Sequence, residues 1–173
     1  IIMLAAVVLL IAYIGAIKAD VFTVLEKAGV DTSGRAYVYS HVNNYYEFSP
    51  AFVGNGIGFL TYQLNEVVSL GVSAVHNDFL QFFVDLGFFG YIFWLLSMTV
   101  LRTAYFGRKG DGDTAAVVCL VTVYLLIVSA TDNTINYPLL TTVLGIIMMG
   151  NGFSEKTEQQ QALLDARPFG RIA

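Results

Sequence analysis

One stretch of the sequence places side chains suited to acid–base chemistry directly before a strongly apolar run. His76, Asn77 and Asp78 open this stretch, AVHNDFLQFFVDLGFFGYIF. Histidine is the side chain best suited to exchange a proton with a substrate hydroxyl near neutral pH. Asn77 and Asp78 are of the types that cap the first turn of a helix. The stretch therefore predicts a catalytic base, His76, at the mouth of an apolar helix, with Asn77 and Asp78 binding substrate beside it. An ordinary capping histidine is the simpler alternative.

Polar residues continue into the apolar run at helical spacing. Asp78, Gln81 and Asp85 are three and four positions apart, which puts them on one face of a helix. Charged groups inside a membrane are costly unless they line a protein interior or a wet cavity. This polar stripe predicts a cleft with His76 at its rim.

Arg35 is the second candidate for a direct role. Its planar guanidinium fork matches a phosphate or diphosphate through paired hydrogen bonds. A solvated charge or a contact with a lipid headgroup is an equal alternative. His41 lacks comparable surroundings and is interpreted as solvated. A metal site built from His41, His76 and Asp78 has no supporting ligand spacing, so we expect neither a metal nor another cofactor.

The composition indicates which solvent surrounds these residues. Hydrophobic residues make up 56% of the 173 positions and charged residues 13%, about half the charged share of a soluble domain, which is about 25%. Lipid is therefore the expected solvent for much of the chain. The net charge of −4 argues against a nucleic-acid partner, because phosphate binding needs clustered Lys and Arg. The single cysteine, Cys119, excludes an internal disulfide.

Four apolar segments approach the length of about 20 residues that a helix needs to cross a bilayer. The first opens the chain without a methionine or the basic start of a signal peptide. We therefore expect the chain to be the C-terminal part of a larger polytopic protein, forming one membrane domain over residues 1–173. The segments lie at about 1–17, 79–101, 114–131 and 139–153.

Basic residues near the helix ends predict the orientation, because they favour the cytoplasmic side. They occur in the connection between the second and third segments and in the tail, residues 154–173. Both regions are assigned to the cytoplasm. The long segment 18–78 and the short polar turn before Pro138 then lie outside. The predicted fold class is all-α, a polytopic integral membrane protein of about four transmembrane helices with a long extracytoplasmic loop.

The outer loop is long enough to indicate function, since structureless connections of this length are unusual. Its tyrosines suit either a membrane-interface belt or a platform for sugar rings. The run GNGIG at 54–58 lacks the strand and helix of a nucleotide-binding unit and predicts a tight turn with close backbone approach. Three short helices are predicted: residues 19–29, a helix capped by Asp31 or Ser33 that runs to about Phe48, and residues 61–70.

Four motifs, taken in order, resemble the O-antigen ligase and O-antigen polymerase superfamily of bacterial membrane proteins. They are SGR at 33–35, GNGIGF at 54–59, HNDFLQFFVDLGFFG at 76–90 and TDNT at 131–134. The resemblance covers roughly residues 20–150. It implies a polytopic α-helical glycosyltransferase that moves a glycan from undecaprenyl diphosphate to an acceptor hydroxyl, outside the bacterial plasma membrane and without a metal.

Carried onto this sequence, the resemblance matches Arg35 to an arginine that engages the diphosphate and His76 to a histidine near the acceptor. Asp85 and Asp132 are expected at most to line the cleft. The chain departs from the family in having fewer membrane helices and in lacking further basic residues upstream. In the family those basic residues contribute to binding the lipid diphosphate. We therefore expect this chain alone to be inactive, or to be only a piece of the working enzyme.

The first functional prediction is a polymerase that joins glycan repeat units on the lipid carrier in surface polysaccharide assembly. The alternative within the same class is a ligase that transfers the finished polymer to a lipopolysaccharide or another acceptor. A transporter is an alternative of another class, although it would carry charges within several helices. A structural membrane subunit would leave the polar stripe unexplained.

Overall fold

The computed structural model of the chain describes residues 2–67, 75–101, 104, 112–134 and 160–161. These residues form helices and connecting turns, with no strand among them, which confirms the predicted all-α class. The helices are α1 (Ile2–Lys18), α2 (Val21–Lys27), α3 (Arg35–Val42), α4 (Phe59–Tyr62), α5 (Asp78–Leu96) and α6 (Gly112–Thr131). A 3₁₀ turn, Asn43–Tyr45, follows α3, and π-helical turns follow α4 (Gln63–Val67) and α5 (Ser97–Leu101).

Helix α5 forms the centre of the described structure and contacts α1, α4 and α6. Ile14 and Ile17 of α1 are fully buried and belong to the same core cluster as the inner face of α5. The Tyr91 hydroxyl of α5 donates to the Leu10 carbonyl of α1 at 3.3 Å. A polar tip thus finds a partner inside an apolar contact, as a buried tyrosine requires.

Within the described residues, one helix, Asp78–Val100, is long and apolar enough to cross a membrane. A second span exists if α1 and α2, which are bent by 64° at the break between them, count as one. The apolar part of α6, Ala116–Thr131, is shorter. These helices support a membrane location, while the predicted helix at 139–153 and most of the tail lie outside the described residues.

The segment 18–78 contains short helices, but their ends differ from the prediction. The capping role expected of Asp31 or Ser33 was wrong: Gly34 precedes α3 in a left-handed conformation and makes no side-chain cap bond. The Asp31 carboxylate instead accepts from the Ser33 amide at 2.7 Å, which closes a local turn that competes with capping. The helical segment also ends earlier than expected, at Tyr45 instead of Phe48.

Lys18 fixes this early end. Its ammonium donates to the carbonyls of Asn43 (2.7 Å) and Tyr46 (2.6 Å) and lies 4.7 Å from the centroid of the Tyr46 ring. The last carbonyls of a helix need donors from outside the helix. Lys18, at the end of α1, supplies them and ties the outer segment to α1.

The segment that follows packs through aromatic rings against Phe83 of α5. Phe83 is buried, and the ring centroids of Tyr46, Phe48 and Phe52 lie 5.4, 5.8 and 5.7 Å from its own. These separations suit attractive contacts between aromatic rings. The cluster brings the glycine run against α5.

Residues 52–58, here called the hook, insert into a break in α5. Gly87 interrupts the helix with φ 75° and ψ −177°. A Cβ on Gly54 would lie 2.5 Å from the Asp85 carbonyl oxygen, and a Cβ on Gly87 would lie 2.3 Å from the Val53 carbonyl carbon. Only glycine permits this approach together with positive φ at both positions. The predicted close backbone approach is confirmed.

The third predicted helix begins slightly before its expected start. Helix α4 starts at Phe59, and its π-helical continuation ends at Val67. The expected end near residue 70 lies outside the described residues.

Candidate functional site

His76 immediately precedes α5 and has a backbone conformation unusual for its residue type. Its φ is 49°, in the left-handed region, where residues other than glycine are uncommon although histidine is among the more tolerant. The side chain is 54% exposed. Left-handed backbone at a non-glycine residue persists only when the surroundings enforce it, and such positions cluster at functional sites.

The imidazole of His76 contacts a carboxylate that lies 56 positions later in the chain. His76 Nδ1 lies 3.0 Å from Asp132 Oδ1, and the Asp132 side chain is 36% exposed. A carboxylate only accepts hydrogen bonds, so the proton between them belongs to Nδ1. This leaves Nε2 of a neutral imidazole with a free lone pair, which is the arrangement of a base held in position by an aspartate.

Arg35 reaches the same place from α3. Its Nη2 donates to the Thr131 carbonyl at 3.1 Å, at the end of α6, where a cation complements the helix dipole. Arg35 and His76 thus bind adjacent residues, Thr131 and Asp132. The structure brings together the two residues that the sequence singled out for chemistry.

Asn77 holds the beginning of α5 beneath His76. It is fully buried, and its Oδ1 accepts from the Leu80 amide at 3.0 Å, so it is the N-cap of α5. Its Nδ2 donates to the hydroxyls of Tyr13 and Tyr39, both at 3.0 Å. Burial raises the pKa of Tyr39, and its hydrogen bonds with Asn77 and Tyr13 and the charge of nearby Arg35 only partly oppose this rise.

Asp78 joins the end of α6 to the start of α5. Its carboxylate is buried and accepts from the Thr134 amide at 2.8 Å, from the Thr134 hydroxyl through a short hydrogen bond, and from Asn133 Nδ2 at 3.5 Å. Asn133 Nδ2 also donates to Gln81 at 2.8 Å. These bonds fix the backbone next to Asp132, and therefore the position of the carboxylate that contacts His76.

Asn77 and Asp78 were predicted to bind substrate directly, and the geometry gives them a different role. Their exposed fractions are 0% and 1%, and their polar atoms bind protein groups. They position the exposed pair of His76 and Asp132. Next to them, Asn133 Oδ1 is the one buried side-chain nitrogen or oxygen atom without a hydrogen-bond partner among the described residues.

Asp85, the last member of the polar stripe, belongs to the hook. Its carboxylate accepts from the amides of Gly58 (2.8 Å) and Leu60 (3.0 Å) at the start of α4. The stripe therefore lines a protein interior, since Asp78, Gln81 and Asp85 all bind groups of this chain. Asp85 has a structural role away from His76.

The remaining candidates lie elsewhere. His41 was expected to be solvated, but its Nε2 lies 3.1 Å from the Tyr45 hydroxyl and its ring is half-buried. Within the described residues no three His, Cys, Asp or Glu side chains form a group that could hold a metal ion. The tyrosines of segment 18–78 differ in exposure: Tyr39 and Tyr46 are buried, whereas Tyr37 and Tyr62 are exposed.

Two contributors to this site were missed or underrated by sequence reasoning. Asp132 was expected at most to line the cleft, although its place just beyond an apolar helix put it on the same side as His76. Only the fold shows the two side chains in contact. Tyr13 carried no signal, because a tyrosine in an apolar helix is equally typical of an interface residue.

Comparison of the chain with protein-family models, with curated proteins and with solved structures gives no significant match. The family resemblance carried by the four motifs stays a prediction. The function is therefore argued from the geometry of the site.

Proposed function

We propose that this protein is a membrane glycosyltransferase that acts on undecaprenyl-diphosphate-linked glycans during bacterial surface polysaccharide assembly, as a polymerase. One observation carries this proposal: Arg35 binds the Thr131 carbonyl and His76 binds the carboxylate of the next residue, Asp132. A diphosphate-binding cation and a proton acceptor are what glycan transfer from a lipid diphosphate needs. The motifs that place both residues also carry the family resemblance.

In the proposed reaction, an acceptor sugar hydroxyl attacks the anomeric carbon of the carrier-linked glycan. A new glycosidic bond forms as the bond between the anomeric carbon and the diphosphate oxygen breaks, and the electron pair leaves with the lipid diphosphate. His76 Nε2 takes the proton of the attacking hydroxyl. Asp132 holds the imidazole and stabilises the imidazolium that forms.

Arg35 acts on the leaving group. Negative charge accumulates on the diphosphate as the bond breaks, and a fixed cation stabilises that charge. An arginine has five N–H donors. The contact of Nη2 with Thr131 is exposed, and a further hydrogen bond links the Arg35 side chain to Tyr39, which leaves other donors of the guanidinium for a diphosphate. The chemistry of this chain's own residues then needs no metal.

We further propose a polytopic protein in the plasma membrane with this site on the extracytoplasmic face. The exposed pair of His76 and Asp132 lies at the start of α5, the helix long and apolar enough to cross a membrane. A transporter is less well supported, because the acidic residues of α5, Asp78 and Asp85, accept hydrogen bonds from groups of this chain.

The test uses the full-length protein in a strain that lacks its own copy. Wild type, His76→Ala and Arg35→Ala are compared at matched membrane levels, with His41→Ala as the control for loss of a histidine from the outer loop. We expect His76→Ala to lower the transfer rate by about 10²–10⁴-fold. Arg35→Ala should also abolish long-chain polymer, while His41→Ala should behave like wild type.

The lipid-linked intermediates separate the alternatives. Single repeat units accumulating on the carrier in the variants would identify a polymerase. Long carrier-linked chains would identify a ligase instead. If both variants make normal polymer, the site is wrongly assigned, and a transporter or structural subunit becomes the better explanation.

A further inference from the structure

The hook contacts α5 well inside its apolar span and not at its outer end. Its backbone bonds reach Val84, Asp85 and Phe88. At 1.5 Å per residue, Val84 and Asp85, which precede the break at Gly87, lie about 9–11 Å along the helix from Asp78. The hydrocarbon core of a bilayer is about 30 Å thick. A span that begins at Asp78 therefore carries the hook to a depth of about a third of the bilayer.

Three backbone hydrogen bonds between the hook and α5 satisfy polar groups of both at that depth. The Asn55 and Gly56 amides donate to the carbonyls of Val84 and Asp85, both at 3.0 Å, and the Phe88 amide donates to the Phe52 carbonyl at 2.9 Å. Non-helical backbone is tolerated within a membrane only where protein satisfies its polar groups. The backbone around the break at Gly87 and the backbone of the hook thus supply hydrogen-bond partners to each other.

The hook exposes two apolar side chains, and its exposed polar side chain, Asn55, donates to the carbonyls of Tyr45 and Val84. Val53 and Ile57 are 87% and 89% exposed, and no charged residue occurs between Glu47 and Glu66. On α5, Phe89 and Phe93 are also exposed. Phe89 directly follows Phe88, whose amide binds the hook, so the exposed apolar side chains of the hook and of α5 occur at the same level of the span.

We infer that the hook is a re-entrant element, inserted into the outer half of the bilayer with Val53 and Ile57 against lipid acyl chains. The segment 18–78 is then not wholly outside the membrane, because residues 52–58 return into it. This inference rests on the proposed membrane location of α5 and is independent of glycosyl transfer. The occupant of the apolar surface is the membrane itself, because the surface shares its depth with the exposed phenylalanines of a candidate span.

Cysteine labelling in membranes tests the inference. Single cysteines replace Val53 and Ile57 in the full-length protein with Cys119→Ser. Phe93→Cys reports on lipid contact by α5, and Tyr37→Cys, at an exposed position of α3, reports on water. The four positions that receive a cysteine are exposed and Cys119→Ser is a nearly isosteric change, so the fold should persist. A bimane label in reconstituted vesicles is quenched by lipids with doxyl groups on their acyl chains, and a membrane-impermeant maleimide measures access from water.

We expect Val53→Cys and Ile57→Cys to be quenched by the acyl-chain doxyl lipids, as Phe93→Cys is, and to resist the impermeant maleimide, whereas Tyr37→Cys reacts. Rapid maleimide labelling of both hook cysteines would overturn the inference. Absence of both labelling and quenching would also overturn it, because another part of the protein would then cover the hook. If Phe93→Cys itself is not quenched, α5 does not span the membrane and the inference fails with that premise.

Discussion

Two regions join the outer segment of this protein to α5, and they use their carboxylates in different ways. At the hook, Asp85 is buried and accepts from the amides of Gly58 and Leu60. At the start of α5, Asp132 is partly exposed and contacts the imidazole of His76. Both carboxylates accept from backbone amides, Asp132 from that of Asn133 at 2.8 Å, but Asp132 also contacts a side chain that can exchange a proton with solvent or substrate.

The difference follows from the groups around each carboxylate. A buried carboxylate is stable when fixed backbone amides satisfy its oxygens, and its burial keeps a ligand from reaching them. An exposed carboxylate bound to histidine keeps the imidazole accessible while setting its orientation. Burial therefore indicates which acidic residues hold the fold and which one can take part in chemistry. Asp78 resembles Asp85, although it lies next to His76 in the chain.

The largest effect should come from the backbone contact at the hook. Gly87→Ala places a Cβ 2.3 Å from the Val53 carbonyl carbon. Left-handed backbone at a non-glycine residue costs about 1–3 kcal/mol, and overpacking costs about as much again. Against a total stability of about 5–15 kcal/mol, we expect a large loss of folded protein in membranes. Thermal unfolding in detergent measures it.

Gly56→Ala is the matched control for Gly87→Ala. Gly56 also has a positive φ, 102°, but a Cβ there meets nothing within 4 Å. It therefore carries the backbone strain without the clash. Equal destabilisation by the two variants would show that the interlocking of the hook with α5 contributes nothing beyond φ strain.

The second prediction compares the same substitution, Asp to Asn, at the two carboxylates. Asp132→Asn should lower the transfer rate by about 10²-fold, because the amide no longer holds the imidazole as a carboxylate does, while the unfolding temperature stays near that of wild type. Asp85→Asn should do the reverse. It exchanges one acceptor oxygen for an amide group among buried donors, at a cost of about 1–3 kcal/mol, and leaves the rate per folded molecule unchanged.

Transfer rate and unfolding temperature, measured on the same preparations, give both readouts. The contrast fails if Asp132→Asn is destabilised as much as Asp85→Asn and loses activity only in proportion to folded protein. Asp132 would then be another structural carboxylate, and the pair with His76 would have no chemical role.

The third prediction concerns Asn77, which positions His76. Asn77→Ala removes a helix cap worth about 0.5–2 kcal/mol and the donor shared by Tyr13 and Tyr39. We expect a lower unfolding temperature and a reduced rate per folded molecule, because the backbone of His76 is less firmly held. Asn77→Ser keeps a capping oxygen but cannot reach both tyrosines, so it should restore stability more than activity.

Asn44→Ala is the control, since Asn44 is exposed and its amide only reaches the His41 carbonyl. It should leave both readouts unchanged. If Asn77→Ser restores activity fully, the tyrosines have no part in positioning His76.

Sequence reasoning predicted the elements of this protein better than their contacts. The apolar runs near 79–101 and 114–131 predicted α5 and α6 to within a few residues over their described lengths, because apolar length is a local property. The glycine run predicted a close backbone approach, because glycine is the usual residue where the backbone turns tightly or packs closely against another segment. The cap of α3 was predicted wrongly, because Asp31 can close its own turn as readily as it can cap a helix.

Long-range pairing accounts for most of what the sequence left open in the candidate site. The place of Asp132 just beyond an apolar helix puts it on the same side as His76, but nothing local shows that the two side chains are in contact. Asn77 is a recognisable cap, but its second bond, to Tyr13, crosses 64 positions. Such contacts depend on how α1, α5 and α6 pack. That packing follows from the complementary surfaces of the three helices, which cannot be read from a single sequence.

The smallest effect should come from Tyr39, and its pH dependence separates the buried site from the exposed surface. Tyr39→Phe removes the hydroxyl that accepts from Asn77, at a cost of about 0.5–1.5 kcal/mol at neutral pH. Burial raises the pKa of Tyr39 in the folded protein, so above about pH 10 the hydroxyl ionises first in the unfolded chain. That ionisation draws wild type towards unfolding as the pH rises, and it is absent from the variant.

The stability deficit of Tyr39→Phe should therefore shrink between about pH 9 and pH 11. Tyr37→Phe, at an exposed position of the same helix, should match wild type throughout. Unfolding temperatures measured across this range give the comparison. A constant deficit for Tyr39→Phe would mean that the hydroxyl ionises as readily in the folded protein as in the unfolded chain, and the network beneath His76 would then be open to water like the pair above it.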